Sequence, residues 1–220
     1  MKSLRLLKVS PGLVDQVYRG LLDAICDGSL APHERLIQEA IAERMGVSRQ
    51  PVLQALRQLK QDGFVTETRR RGLEVSALDP HWMAMTYQVR GALDALAARL
   101  AAKHRAVIDE RLLQQGRKAA AGKSVQAMID ADLAFHQAIY EASQNPLIGQ
   151  IALQHWQHLR RAMGAVLQQA GQRQTVWDEH AAVALAIANG QGEQAARLLE
   201  AHAEQAGSMM TEHLRLASAA

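Results

Sequence analysis

The sequence predicts a mainly α-helical chain in two regions: a short helical region closing on a β-hairpin, then a bundle of about six helices. Three observations predict it. Ala, Leu and Gln are abundant while aromatic residues make up 4% of the chain, a balance that costs little in a helix and leaves few residues suited to a pleated surface. Apolar residues recur at helical spacing on either side of a short stretch of strand-like residues between 64 and 76. Hydrophobic residues make up 48% of the 220, enough to bury a core.

The first eleven residues mix Lys2, Arg5 and Lys8 with leucines. They read as an N-terminal arm, because a secretory signal needs a longer apolar centre and a small-residue cleavage site. Val14, Val17, Tyr18, Leu21, Leu22 and Ile25 then mark a first helix, stopped at Asp27-Gly28-Ser29, where Gly28 suits a left-handed turn. A second helix is expected from about Glu34 to Met45, with Ile37, Ala40 and Ile41 facing inward. After the break at Gly46-Val47-Ser48, a third should run from Arg49 to about Asp62, with Ser48 as N-cap and Pro51 tolerated in the first turn. Phe64–Thr68 and Leu73–Ser76 read as two short strands joined by Arg69, Arg70, Arg71 and Gly72. Two helices joined by a tight turn and followed by a basic hairpin make a winged helix-turn-helix.

Beyond Pro80 the spacing predicts helices at about 81–103, 107–120, 123–143, 146–170, 174–189 and 191–214. Breaks fall at Gly122, at Ser143-Gln144-Asn145-Pro146, at Gly171 and at Asn189–Gly192. Asn145 before Pro146 has the form of a cap and a first helical residue. The expected division is therefore 1–78 for the winged helix-turn-helix and 79–220 for the helical domain.

Charge is uneven along the chain. Residues 1–78 hold 12 Lys or Arg against 9 Asp or Glu, whereas residues 79–220 hold 13 of each. The excess thus sits where a polyanion would dock. No apolar run approaches the roughly 20 residues that a membrane span needs. The single cysteine, Cys26, excludes an internal disulfide framework; it fits a reducing, cytoplasmic setting and a small core position.

In the third helix Val52, Ala55, Leu56 and Leu59 fall on one face. Arg49, Gln50, Leu53, Gln54 and Arg57 are left outward or flanking. Arg can hold guanine through O6 and N7, Gln can hold adenine through N6 and N7, and Leu53 offers only apolar contact. Arg35 and Arg44 are better placed for phosphates. Ser48, at the start of that helix, and Gly72, in the wing, complete the expected DNA-contacting set. Arg69, Arg70 and Arg71 have two readings, a solvated turn or, beside the third helix, side chains that reach into the adjacent minor groove or grip the backbone; three arginines are more charge than a two-strand turn needs, which favours the second.

Two stretches carry a family resemblance. Gly28-Ser29-Leu30-Ala31-Pro32-His33-Glu34-Arg35-Leu36 and Gly46-Val47-Ser48-Arg49-Gln50-Pro51-Val52-Leu53-Gln54-Ala55-Leu56 resemble the N-terminal domain of the GntR family of bacterial regulators. His33 stands where that pattern has glycine, Leu53 where it has a second arginine, and Gln54 where it has glutamate. Arg49 matches the family's first base-contacting arginine. The resemblance implies double-stranded operator DNA as partner, bound by a homodimer.

In the second region four residues stand out by spacing. Asp132 and His136, four apart, share a helix face. His180 lies nine residues before Asn189 and His202 ten after Gly192, so an antiparallel hairpin brings both imidazoles to one level. One carboxylate and three imidazoles suit a divalent Zn, Ni, Mn or Fe ion; the same residues could equally be hydrogen-bonded core side chains. His155 and His158 fit either a cavity wall or a surface face. Arg90-Gly91-Ala92-Leu93-Asp94, then Asp132–His136 with Asn145, Glu179-His180 and His202 resemble the FadR-type (FCD) ligand-binding domain of the same family, in its shorter VanR-like branch.

That resemblance implies a metal on Asp132, His136, His180 and His202, and a small carboxylic acid effector bound near it. Arg90 matches an arginine able to pair with that carboxylate; its other reading is an intrahelical pair with Asp94. The implied function is a DNA-binding regulator, acting as a repressor and not as an enzyme. Two alternatives stay open: a metal-dependent hydrolase on the same quartet, and a DNA-binding dimer without an effector.

Overall fold

The computed structural model describes residues 12–68, 72–167 and 175–219. Contacts divide the chain into two compact units, the first ending at Ala77 and the second starting at Leu78. The described residues are dominated by helix, with one small sheet.

In the first unit, α1 (Leu13–Cys26) buries Val17, Leu21, Leu22, Ile25 and Cys26, a face repeating at three to four residues. Gly28 takes φ 82° just past its end. Helices α2 (Gln38–Met45) and α3 (Arg49–Gln61) are joined through Gly46, whose φ of 65° closes α2 in the left-handed conformation. The core beneath α3 is Val52, Ala55, Leu56 and Leu59, all fully buried.

The second helix is shorter than its spacing suggests. Arg35–Leu36 form a strand, β1, which pairs antiparallel with β3 (Leu73–Val75), itself paired with β2 (Val65–Glu67), in the order β1-β3-β2. Ladder bonds to Glu74 and Leu73 therefore take the backbone groups that a longer helix would have used. Starting at Gln38 also turns the helix: Ala42 is its buried residue, Ile41 is half-buried, and Ile37 and Ala40 are exposed. Ser48 holds the N-cap position of α3 without a side-chain cap bond.

Among the described residues His33 is one of three non-glycine residues with positive φ, at 67°. Its N–H donates to the Val75 carbonyl and Nδ1 lies 3.3 Å from Glu74 Oε1. This is a backbone that favours glycine, the residue the family pattern has there.

The second unit holds α4 (Pro80–Lys103), α5 (Glu110–Ala121), α6 (Val125–Ala142), α7 (Pro146–Leu167), α8 (Thr175–Ala188) and α9 (Gly192–Ala219). Local chemistry sets their starts. Asp79 accepts from the His81 N–H, Asp109 from Arg111 and Ser124 from Ala127. Asn145 accepts from Leu147 beside Pro146. The expected helix ends inside 168–174 lie outside the described residues.

Helix α4 lies along α9 with small residues at the contact. A Cβ on Gly91 would come 3.1 Å from the Ala203 Cβ, and one on Gly207 would come 2.8 Å from that of Tyr87. Among the described residues no helix is long and apolar enough to cross a membrane.

Candidate nucleic-acid interface and metal centre

With its apolar stripe buried, α3 presents Arg49, Gln50, Gln54 and Arg57 as exposed side chains, and Leu53 as half-buried. Arg44 on α2 and Ser48 in the turn are exposed as well. Arg49 is engaged within the unit, forming an ion pair with Glu39 on α2. Arg35, exposed on β1, reaches the base of the wing: a Cβ built on Gly72 would lie 3.4 Å from its Nε. The wing closes where Thr68 N–H donates to the Gly72 carbonyl and Gly72 N–H donates to Thr68 Oγ1. Arg69, Arg70 and Arg71 lie outside the described residues.

In the helical unit α6 supplies Asp132 and His136 one turn apart, α8 supplies His180, and α9 supplies His202. All four are buried, and ligand atoms from each lie within 4.8 Å of one another. Imidazole centroids are 4.9 Å apart for His180 and His202 and 5.4 Å for His136 and His180. Asp132 Oδ1 lies 3.8 Å from His136 Nε2 and 3.7 Å from His180 Nε2.

Around the four sits a set of oriented carboxylates. Asp94 on α4 is fully buried, with Oδ2 3.2 Å from His136 Nδ1 and 3.4 Å from Arg90 Nε. Its Oδ1 accepts from the Tyr140 hydroxyl at 2.5 Å. Glu179 accepts from His202 at Nδ1, 2.7 Å away. Arg90 donates through Nη2 to Asp132 Oδ2 at 3.1 Å, so its guanidinium bridges Asp94 and Asp132. Arg90 thus makes the intrahelical pair with Asp94 and also lines the cavity beside the quartet.

The electrostatics follow from burial against charge. Burial works to raise the carboxyl of Asp132, but Arg90 and the three histidines outweigh it and hold that group well below the usual range. Asp94 is lowered in the same way, with His136 and Arg90 prevailing over burial. For His180 burial dominates and drives the imidazole well below its ordinary value, towards the neutral form that can ligate. Burial raises the Tyr87 phenol to about 12.

These residues fit a divalent cation. Nε2 of His136 and both ring nitrogens of His180 are buried without a hydrogen-bond partner, a state that native interiors seldom leave unexplained. With Nδ1 of His136 turned to Asp94 and Nδ1 of His202 to Glu179, the Nε2 atoms remain for a shared centre. Phe135 stacks on His180 at 4.2 Å and Trp177 meets it edge-on at 4.7 Å, closing the apolar side.

Spacing alone missed Asp94 as a hub, Tyr140 and Glu179. Tyr140 could have been found, since it continues the four-residue step from Asp132 through His136. His155 and His158 lie away from the quartet, beside Trp82 at 6.3 and 4.5 Å between ring centroids.

Comparison with known proteins matches residues 13–75 to the family described as bacterial regulatory proteins, gntR family, and residues 85–215 to the FCD domain. The HTH-type transcriptional regulator YdhC of Bacillus subtilis (strain 168) is 30% identical over 135 residues, covering 59% of this chain and 60% of that protein. The Nta operon transcriptional regulator of Aminobacter aminovorans is 31% identical over 119 residues, covering 52% and 56%. The chain thus spans under two thirds of the length of these curated relatives. Escherichia coli McbR/YncC superposes with a TM-score of 0.75 at 20% identity, over 94% of this chain and 99% of that one; the likeness is one of fold.

Proposed function

The chain belongs to the GntR family of bacterial regulators and carries its FCD domain, and from that premise we propose that it is a DNA-binding transcriptional repressor whose operator affinity is set by a small carboxylate effector. The observation that carries this reading is the division of α3, which buries Val52, Ala55, Leu56 and Leu59 and exposes Arg49, Gln50, Gln54 and Arg57. Such a helix can lie in a major groove with Arg and Gln against base edges, while Arg35, Arg44, Ser48 and the wing residues Arg69–Gly72 hold the backbone. A homodimer would place two such helices in the half-sites of a palindromic operator. The setting is the cytoplasm, where the chromosome lies.

In the helical domain Asp132, His136, His180 and His202 would hold a divalent ion, of which Zn, Ni, Mn and Fe suit this donor set. Bound there, the ion supplies a positive centre on which a carboxylate can lodge. The protein's own part is to orient the imidazoles through Asp94 and Glu179 and to exclude water with Phe135 and Trp177. Arg90 lines the same cavity. Effector binding changes DNA affinity only as far as it prefers one arrangement of the two heads over another.

The hydrolase reading needs a general base beside the quartet. The nearby carboxylates are committed, Asp94 to Tyr140 and Arg90, and Glu179 to His202, which argues for a binding site over a turnover site. The effector-free reading leaves the unpartnered nitrogens of His136 and His180 without a purpose.

The test is selection of bound sequences from a random DNA pool, then anisotropy at fixed salt with metal-loaded and chelated protein. A two-fold symmetric site whose affinity differs between the two forms is expected. Uniform binding to all sequences, or none, contradicts the reading.

A further inference from the structure

The exposed face of α3 is rich in one side chain. Between Arg49 and Gln61 the helix carries Gln50, Gln54, Gln58 and Gln61, all exposed, and no Asp or Glu. Gln50, Gln54 and Arg57 share a face at steps of four and three residues, and Leu53 stands half-buried beside them. Arg49, at the start of the helix, is exposed and paired with Glu39 on α2. The N-terminal turns, which in a helix-turn-helix meet the base edges, therefore present two primary amides and one isobutyl group, with a guanidinium before them and another after.

Each of these groups suits some bases and not others in a major groove. A carboxamide donates to N7 of adenine and accepts from its N6 amino group. Guanine offers two acceptors, N7 and O6, a pattern for Arg or Lys, and cytosine offers an amino donor, a pattern for Asp or Glu. This helix has no carboxylate, and its two arginines are Arg49 and Arg57. Leu53 has no polar atom. It gains from the C5-methyl of thymine, and against the other bases it would desolvate a polar edge without replacing the lost hydrogen bonds.

From this we infer that each half-site carries A·T pairs under the first two turns of α3, with adenines facing Gln50 and Gln54 and a thymine methyl against Leu53 between them. Residues four apart rise about 6 Å along a helix, close to two base-pair steps of about 3.4 Å. The two adenines therefore lie about two base pairs apart, with the thymine at the pair between. Guanine is left to the edges of this segment, where Arg49 and Arg57 stand. The inference rests on the reading of α3 as the helix that enters the major groove, and names the bases it reads.

Selection from a random duplex pool with the full-length protein gives the preferred site, and Gln50→Ala and Gln54→Ala locate the base pair that each amide reads. Both pairs should be A·T, about two steps apart. In anisotropy titrations at fixed salt, 7-deazaadenine, which lacks the N7 acceptor, should weaken binding about 10-fold at either position. Deoxyuridine in place of thymine at the pair between removes the methyl and should weaken binding about 4-fold, a loss that Leu53→Ala abolishes. Gln54→Glu should move the preference at its pair from adenine to cytosine.

G·C at the pairs located by the two alanine variants, or affinity indifferent to both 7-deazaadenine and deoxyuridine, would overturn the inference while leaving DNA binding in place. Alanine variants that select the same site as the parent, with every preference kept, would do the same. A parent that selects no sequence at all would overturn the DNA-binding reading with it.

Discussion

Asp94 Oδ2 lies 3.2 Å from Nδ1 of His136, both side chains fully buried and contributed by different helices, α4 and α6. Asp94 also meets Arg90 and Tyr140, so one carboxylate joins the α4 side of the bundle to the quartet. Asp94→Asn keeps the shape and removes the charge. The expected loss is about 3 kcal/mol of unfolding free energy, the cost of leaving a buried charged partner uncompensated. Divalent-ion affinity should fall about 10- to 100-fold as well. Glu179→Gln, at a half-exposed carboxylate, should weaken metal binding with little change in stability. Chemical denaturation and competition with a chromophoric chelator separate the two effects. Equal behaviour of the two variants would contradict the hub role.

Gly116 on α5 is where the indole of Trp177 rests. A Cβ there would overlap Trp177 Cη2, so alanine must displace the ring that meets His180 edge-on. Helix propensity favours alanine by about 1 kcal/mol, but overpacking costs about 1–3 kcal/mol. Gly116→Ala is expected to lower the melting temperature and weaken metal binding. A variant more stable than the parent would show that Trp177 moves freely.

His33 sits in a left-handed backbone at φ 67°, and its contact with Glu74 is exposed. His33→Gly relieves strain of about 1–2 kcal/mol and returns part of it as added freedom of the unfolded chain. A net gain of up to about 1 kcal/mol in urea denaturation is expected. A loss would mean that the His33–Glu74 contact outweighs the backbone strain.

Arg49 is an exposed α3 residue that is already paired, with Glu39 on α2. On the proposed reading Arg49→Ala should cost about 1–3 kcal/mol of operator affinity and relax preference at one base pair. An equal loss on every sequence would instead make Arg49 a phosphate contact, and its salt slope would fall by about one.

What could be read from sequence divides by distance along the chain. The break at Gly46 and the buried stripe of α3 are local, and both were legible. So was the quartet, because four-residue spacing and equal distances about a turn are enough to bring Asp132, His136, His180 and His202 together. The strand at Arg35–Leu36 was not legible: its partner is Glu74, and two residues carry no period of their own. Misreading it placed Ile37 and Ala40 inward in place of Ala42.

The same limit hid the carboxylates about the quartet. Arg90 and Asp132 are 42 residues apart, Tyr140 and Asp94 are 46 apart, and Glu179 and His202 are 23 apart. Only the Arg90–Asp94 pair, one helical turn apart, was within reach of spacing.

The most direct measurement is metal content by elemental analysis of untagged, full-length protein purified without chelator, beside a His180→Ala/His202→Ala variant. The account predicts close to one divalent ion per chain in the parent and none in the variant. It also predicts that stripping the ion lowers stability by about 4 kcal/mol where free metal stands a thousandfold above its dissociation constant. A parent without metal, still folded and no more stable with added Zn²⁺ or Ni²⁺, would contradict the centre that joins Asp132 to the three histidines.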